Sequence, residues 1–287
     1  MNTEQELVKK LEEKVVQLRK DMYVTTNKIG YSHLGGGNSM LDMTVALYYD
    51  FLNWSPEMID DPDRDRFVLS KGHCGHVLYN ILVDKGVYTK EQLWTGYNQV
   101  NSIFGMHPNF HYVRGIEAST GSLGHGLPLA FGMAISARAD KKDHWVVCMT
   151  GDGELDEGSN WEAIMSAAHF QLGNLILIVD YNKCSGVGPV KDVMNLDPLA
   201  DKFKAFNWDV LECDGHNMED ILNTLHSLPE ADSQTRRKPI AIISHTIKGK
   251  TMLGGVEGTA MSHLGFVPDD ASLQAMLDNV DRDAGLA

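Results

Sequence analysis

Asp152 sits between Gly151 and Gly153, directly after the apolar run 146–150, and Asn182 follows the next apolar run, 175–180. If the two runs are neighbouring parallel strands, the Asp152 carboxylate and the Asn182 amide meet at the carboxyl edge of one sheet. Open α/β sheets bind their ligands at that edge. A carboxylate, an amide oxygen and a nearby backbone carbonyl suit a hard divalent ion such as magnesium, whose shell phosphate oxygens and water complete. The flanking glycines let a diphosphate approach the backbone, and helix N-termini in this layout favour anions. Taken alone, Gly-Asp-Gly also fits a plain strand-to-turn junction. The neighbouring acids Glu154 and Asp156 read as solvated turn residues.

The elements that must position these groups are legible in the hydrophobic pattern. Leu7, Val8, Leu11, Val15, Leu18 and Met22 recur at helical spacing and predict a helix over 4–28. Gly35-Gly36-Gly37 breaks the pattern, and Asn38 or Ser39 is the expected cap of a second helix running to about Leu52. A loop rich in Asp and Pro leads to a helix over 72–85. The segment 101–118 has no period and reads as an ordered loop, and 121–139 is glycine-rich, then small and apolar, as a closely packed helix requires. Strands at 146–150, 175–180, 209–213 and 240–245 then alternate with helices at 161–170, 199–206 and 218–228. Continuous apolar strands separated by helices predict an α/β fold, a mainly parallel sheet with helices on both faces. No repeat or linker divides the chain. A single domain over 1–287 is expected, with an N-terminal helical region 1–28 and a final helix or tail over 266–287.

Composition narrows the function. The 287 residues carry a formal net charge of −14, which argues against a broad nucleic-acid or anionic-membrane surface. The N-terminal 20 residues alternate acids and bases without an apolar core, so a signal peptide is not expected, and the apolar runs are too short to span a bilayer. The 4 cysteines are widely spaced without a CxxC pair, which fits free thiols in a reducing cytoplasm.

Around Gly151-Asp152-Gly153 stand Glu157-Gly158, Trp161-Glu162-Ala163, Asn174-Leu175 and Asp180-Tyr181-Asn182. This run resembles the thiamine-diphosphate fingerprint, which opens on GDG and closes on an Asn roughly thirty residues later. The resemblance implies magnesium (with calcium or manganese as substitutes) held by Asp152, Asn182 and the Cys184 carbonyl, and a cofactor contacted through Gly151 and Gly153. Among the 12 histidines, five stand in contexts similar to transketolase: His33 in Gly30–Gly35, His73 closing Asp63–His73, His107 before Pro108, His263 in Met261–Gly265, and His125. His125 falls where the familiar single-chain enzymes carry Gln. Ketol transfer moves protons at donor and acceptor hydroxyls and stabilises developing oxyanions, both tasks for imidazole near neutral pH.

By the same resemblance His33, His107 and His263 are the catalytic set, His263 also facing the cofactor. His73 lies near the diphosphate, Leu123 offers backbone contacts to the cofactor, and Glu157 lies near the contact between subunits. His76, three residues past His73, reads as packing. His111, His144, His169, His216, His226 and His245 read as surface or hydrogen-bonded core residues.

The resemblance runs from about Lys28 to Gly265 and covers only the first part of a transketolase. In the family the Glu that activates the cofactor lies on a separate pyrimidine-binding domain, which finds no counterpart here. The expected protein is therefore the diphosphate-binding (PP-type) subunit of a split, cytoplasmic transketolase. It would pair with a pyrimidine-binding subunit in an α2β2 heterotetramer and move a two-carbon ketol unit from a ketose to an aldose. The alternatives are the α-subunit of a thiamine-dependent 2-oxo acid dehydrogenase, whose motifs lack this histidine set, a deoxyxylulose-phosphate-synthase-like enzyme, and a non-catalytic cofactor-binding partner.

Overall fold

The computed structural model describes residues 3–286. In chain order the elements are α1 (Thr3–Asn27), β1 (Tyr31–Ser32), α2 (Leu34–Ala46), β2 (Arg66–Leu69), α3 (Gly75–Asp84), α4 (Lys90–Gly96) and α5 (Gly126–Ala139). There follow β3 (Val146–Gly151), α6 (Gly158–His169), β4 (Leu175–Tyr181), α7 (Val190–Val193), α8 (Leu199–Ala205) and β5 (Asp209–Asp214). The chain closes with α9 (Met218–His226), β6 (Ile240–His245), β7 (Gly265–Phe266) and α10 (Asp270–Asp283).

Five strands form a parallel sheet in the order β2-β3-β4-β6-β5, and β1 pairs antiparallel with β7 in a separate ribbon. Side chains of β4 alternate between two cores, as strand geometry demands. Ile176 and Ile178 join the core built with α1, α2, α3 and α9, while Leu175, Leu177 and Val179 join the one built with α5, α6 and α8. Both faces of the sheet are thus covered, the arrangement expected from continuously apolar strands. β3 and β4 are neighbours with Gly151 opposite Asp180, so Asp152 and Asn182 leave the sheet side by side.

Three local expectations are corrected. The second helix begins at Leu34 with His33 at its N-cap, so the glycine triplet lies inside its first turn. The glycines serve close approach: a Cβ on Gly35 would lie 2.1 Å from the Ser262 carbonyl oxygen, and one on Gly37 would lie 2.4 Å from His76 Nε2. That helix ends in a π-turn over Leu47–Phe51. The Asp- and Pro-rich segment contains an edge strand, β2, whose Arg66 hides its strand character and whose Phe67, Val68 and Leu69 are buried. α4, held by a capping box of Thr89 and Gln92, has no counterpart among the expected helices. The C-terminal helix docks on α1, where Val280 and Met276 pack with Tyr23 and Lys20 pairs with Asp281 at 2.5 Å. No described helix is long and apolar enough to cross a membrane.

Candidate active site

The carboxyl ends of β2, β3, β4 and β6 open onto a cavity of about 110 Å³ whose wall includes Gly36, Lys71, Asp152, Asn182, Cys184 and Lys248. Asp152 is 3% exposed; its carboxylate accepts from the backbone N–H of Gly153 at 2.7 Å and from that of Lys183. Burial first, then the neighbouring Asp180, pushes its pKa up to about 6. Asn182 Oδ1 accepts from the Cys184 N–H at 3.1 Å, and Lys248 Nζ donates to the carbonyls of Cys184 and Ser185, each at 3.0 Å. All three expected ligands therefore converge on one wall.

Among the described residues no cluster of three or more His, Cys, Asp or Glu side chains could hold a metal. One carboxylate, one amide oxygen and one carbonyl is instead the donor set of a hard ion that shares its shell with phosphate. A Cβ on Gly36 would lie 2.8 Å from Cys74 Sγ and 3.3 Å from both His73 Nε2 and Lys71 Nζ, so bare backbone forms that side of the cradle. The residues fit a metal-bound diphosphate.

The histidines gather beside this cavity. His33 is the hub, its ring centroid 5.1 Å from that of His263, 5.2 Å from His73 and 6.3 Å from His107; His73 and His263 are 5.5 Å apart. The β1–β7 ribbon explains the first pair, because Ser32 stands opposite Gly265. Loss of hydration lowers the pKa of all four rings, although His107 is itself exposed at the surface. This loss lowers His263 to about 4, with Lys248 and His33 adding to the effect, and holds His73 well below the usual value, with Lys71 behind it. His33 and His107 are lowered in the same way. A neutral imidazole both donates and accepts, the property needed for moving substrate protons.

The remaining expected residues divide. Leu123, Gly151, Gly153 and His263 line the cavity. Glu157 does not; it is exposed at the N-cap of α6, packed against Gly124. His125 is exposed at the N-cap of α5. Asp156 is exposed as expected, but Glu154 is 3% exposed and no solvated turn acid. It accepts from Ser70 Oγ, from the Gly124 N–H at 3.0 Å and from the Gly151 N–H at 3.1 Å, tying the turn after β3 to the Ser122–Gly124 loop.

Two cations of the site were not singled out in the sequence. Lys71, 2% exposed, pairs with Asp180, 1% exposed, which also accepts from Ser39 Oγ at 2.6 Å and Thr246 Oγ1 at 2.5 Å. Burial opposes both charges, yet each holds the other ionised, the lysine above its ordinary pKa and the carboxyl below. Lys248 is the second. Position was the available signal, since Lys71 lies two residues before His73 and Lys248 just beyond the carboxyl end of β6. His216 is a hydrogen-bonded residue of the kind expected, but its Nε2 accepts from the Ile247 N–H at 2.9 Å, next to Lys248.

A doubly covered parallel sheet with an oxygen-lined, glycine-walled cradle at its carboxyl edge defines a diphosphate-binding α/β domain. Residues 12–271 match the family model "Transketolase, thiamine diphosphate binding domain". The chain is 41% identical over 247 residues to one of the subunits of the apulose-4-phosphate transketolase of Phocaeicola vulgatus, covering 86% of this chain and 85% of the relative. It is 38% identical to a 6-deoxy-6-sulfo-D-fructose transketolase subunit of a Clostridium species, covering 81% and 83%. The solved transketolase of Campylobacter jejuni superposes with a TM-score of 0.82 at 30% identity, over 96% of this chain and 42% of that one. This chain thus spans less than half of the solved single-chain enzyme. The chain belongs to the transketolase family and is its thiamine-diphosphate-binding domain, similar in extent to the relatives named as transketolase subunits.

Proposed function

We propose that the chain is the diphosphate-binding subunit of a split transketolase that moves a two-carbon ketol unit from a ketose to an aldose. The observation that carries this reading is the cluster of imidazoles, His33, His73, His107 and His263, beside a cradle suited to a metal-bound diphosphate. Asp152, Asn182 and the Cys184 carbonyl would hold magnesium, with calcium or manganese as substitutes. Lys71 and Lys248 would balance the phosphate charge. Thiamine diphosphate supplies the carbon centre that carries the two-carbon unit. His33, His107 and His263 act on the sugar, exchanging protons with its hydroxyls and donating to oxygens that gain negative charge. His73 borders the diphosphate.

The ketose is a phosphorylated or similarly anionic sugar, as the names of the two relatives suggest, and the reaction is cytoplasmic. The partner carries the pyrimidine-binding domain, and two copies of each chain form the α2β2 assembly, since such interfaces close with two-fold symmetry. A 2-oxo acid dehydrogenase is not favoured, because the family match is to transketolase. The test is steady-state ketol transfer, measured first with the chain alone and then after mixing with the pyrimidine-binding subunit. Activity only in the mixture is expected; full activity from the single chain would overturn the split-enzyme reading.

A further inference from the structure

Beside the imidazole cluster, and outside the cavity lining, runs a second polar chain, buried but for its half-buried last member, Met106. His76 Nδ1 lies 3.3 Å from Ser32 Oγ, Ser32 Oγ lies 2.8 Å from Tyr97 Oη, and Tyr97 Oη lies 3.3 Å from Met106 Sδ. His76, Ser32 and Tyr97 are each 0% exposed. The direction of the chain follows from its last member. A thioether has no proton to give, so Tyr97 donates to Met106, Ser32 donates to Tyr97, and His76 Nδ1–H donates to Ser32. This places the only ring proton on Nδ1 and leaves His76 Nε2 an unprotonated acceptor, which has no hydrogen-bond partner among the described residues. Burial lowers His76 to about 3, with His33 and Lys71 opposing a further charge, so one proton is all the ring holds at neutral pH.

Such a chain is costly to keep in an apolar core, because each polar atom loses water and one remains unsatisfied. Three of its four members share one property. Ser32 precedes His33, His76 follows His73 by one helical turn, and Met106 precedes His107. Ser32 also pairs across the β1–β7 ribbon with Gly265, two residues from His263. The four imidazoles ride on segments far apart in sequence, and their spacings of 5.1 to 6.3 Å around His33 depend on how those segments register. Apolar contacts alone let packed segments slide; directional hydrogen bonds between them do not.

We propose that the buried chain His76–Ser32–Tyr97–Met106 is a positioning frame that holds His33, His73 and His107 in register for ketol transfer. The proposal rests on the catalytic assignment of His33 made above. None of its members lines the cavity, so they act through the histidines.

A double-mutant cycle in the complex with the pyrimidine-binding subunit tests it. Tyr97→Phe removes the central hydroxyl and keeps the ring. It should lower kcat about tenfold, the worth of roughly one hydrogen bond, with the Kd for thiamine diphosphate unchanged within about twofold. In a His33→Ala background the same substitution should cost less, because one of the groups being positioned is gone. Ser32→Ala breaks the same chain with a smaller change in volume and should behave alike, which covers the case of a poorly folding Tyr97→Phe. An equal loss in both backgrounds, a loss confined to cofactor affinity, or unchanged kcat in both variants would overturn the frame. Intact turnover in His33→Ala would instead overturn the catalytic role of His33, and the frame through it.

Discussion

Lys71→Met is the perturbation whose consequence the structure defines most closely. It deletes a fully buried ammonium and leaves the Asp180 carboxylate 1% exposed, with Ser39, Thr246 and Asn182 still donating to it but no ion-pair partner. Removing one partner of a buried ion pair costs about 3–5 kcal/mol, most of it the penalty of stranding the other charge. For a chain of this size that is a fall in Tm of about 6–10 °C, at about 2 °C per kcal/mol. Lys71→Met/Asp180→Asn removes the stranded charge while keeping an oxygen for Ser39 and Thr246, so it should recover at least about half of the loss. The assay is thermal and urea denaturation of the wild type, both single variants and the double variant. Cofactor binding should fall in Lys71→Met as well, since Asp180 already raises the pKa of Asp152 and an unpaired Asp180 repels phosphate from the same wall. A loss below about 1 kcal/mol in Lys71→Met, or a double variant no better than the sum of the singles, would refute the view that the pair is one coupled unit.

Asp152→Ala and Asn182→Ala should each abolish metal-dependent binding of thiamine diphosphate in the two-chain complex with the fold intact, because each takes one oxygen from a site with three protein donors; calorimetric titration with and without magnesium checks this, and unchanged affinity would refute the ligand assignment. His33→Ala, His107→Ala and His263→Ala should lower kcat by roughly a hundredfold or more with smaller effects on cofactor affinity. The exposed His169 is the control, because His216 holds the backbone beside Lys248 and is not inert. Acid should destabilise the chain through His76. Its folded pKa of about 3 lies below the ordinary 6.5, so its contribution is complete above pH 6.5 and is lost as pH falls towards 3, about 2–3 kcal/mol being gone at pH 4.5. His76→Phe should therefore lose less stability between pH 7 and pH 4.5 than the wild type; parallel curves would refute the buried, neutral assignment.

The sequence alone determined the parallel sheet and the two turns that carry Asp152 and Asn182. Residues 146–149, 175–179 and 240–243 are continuous apolar runs, and such runs state their burial on both faces without reference to anything distant. Asp152 and Asn182 were legible because each directly follows such a strand, and the edge where they meet is a property of the topology. The histidines were legible as a set through their local motifs. Tertiary structure decided what depends on partners far along the chain. β2 was hidden because Arg66 makes it look polar, until Glu117 is found 3.5 Å from its guanidinium. Glu154 looks like a turn acid until Ser70, Gly124 and Gly151 are seen to enclose it. Gly35-Gly36-Gly37 looks like a break until Ser262, Cys74 and His76 occupy the space its side chains would need. Lys71 and Asp180 are 109 residues apart, and nothing local to either says that it is buried and paired. Periodicity records which way a residue faces; whether a buried polar group is satisfied is settled only by what folding brings against it.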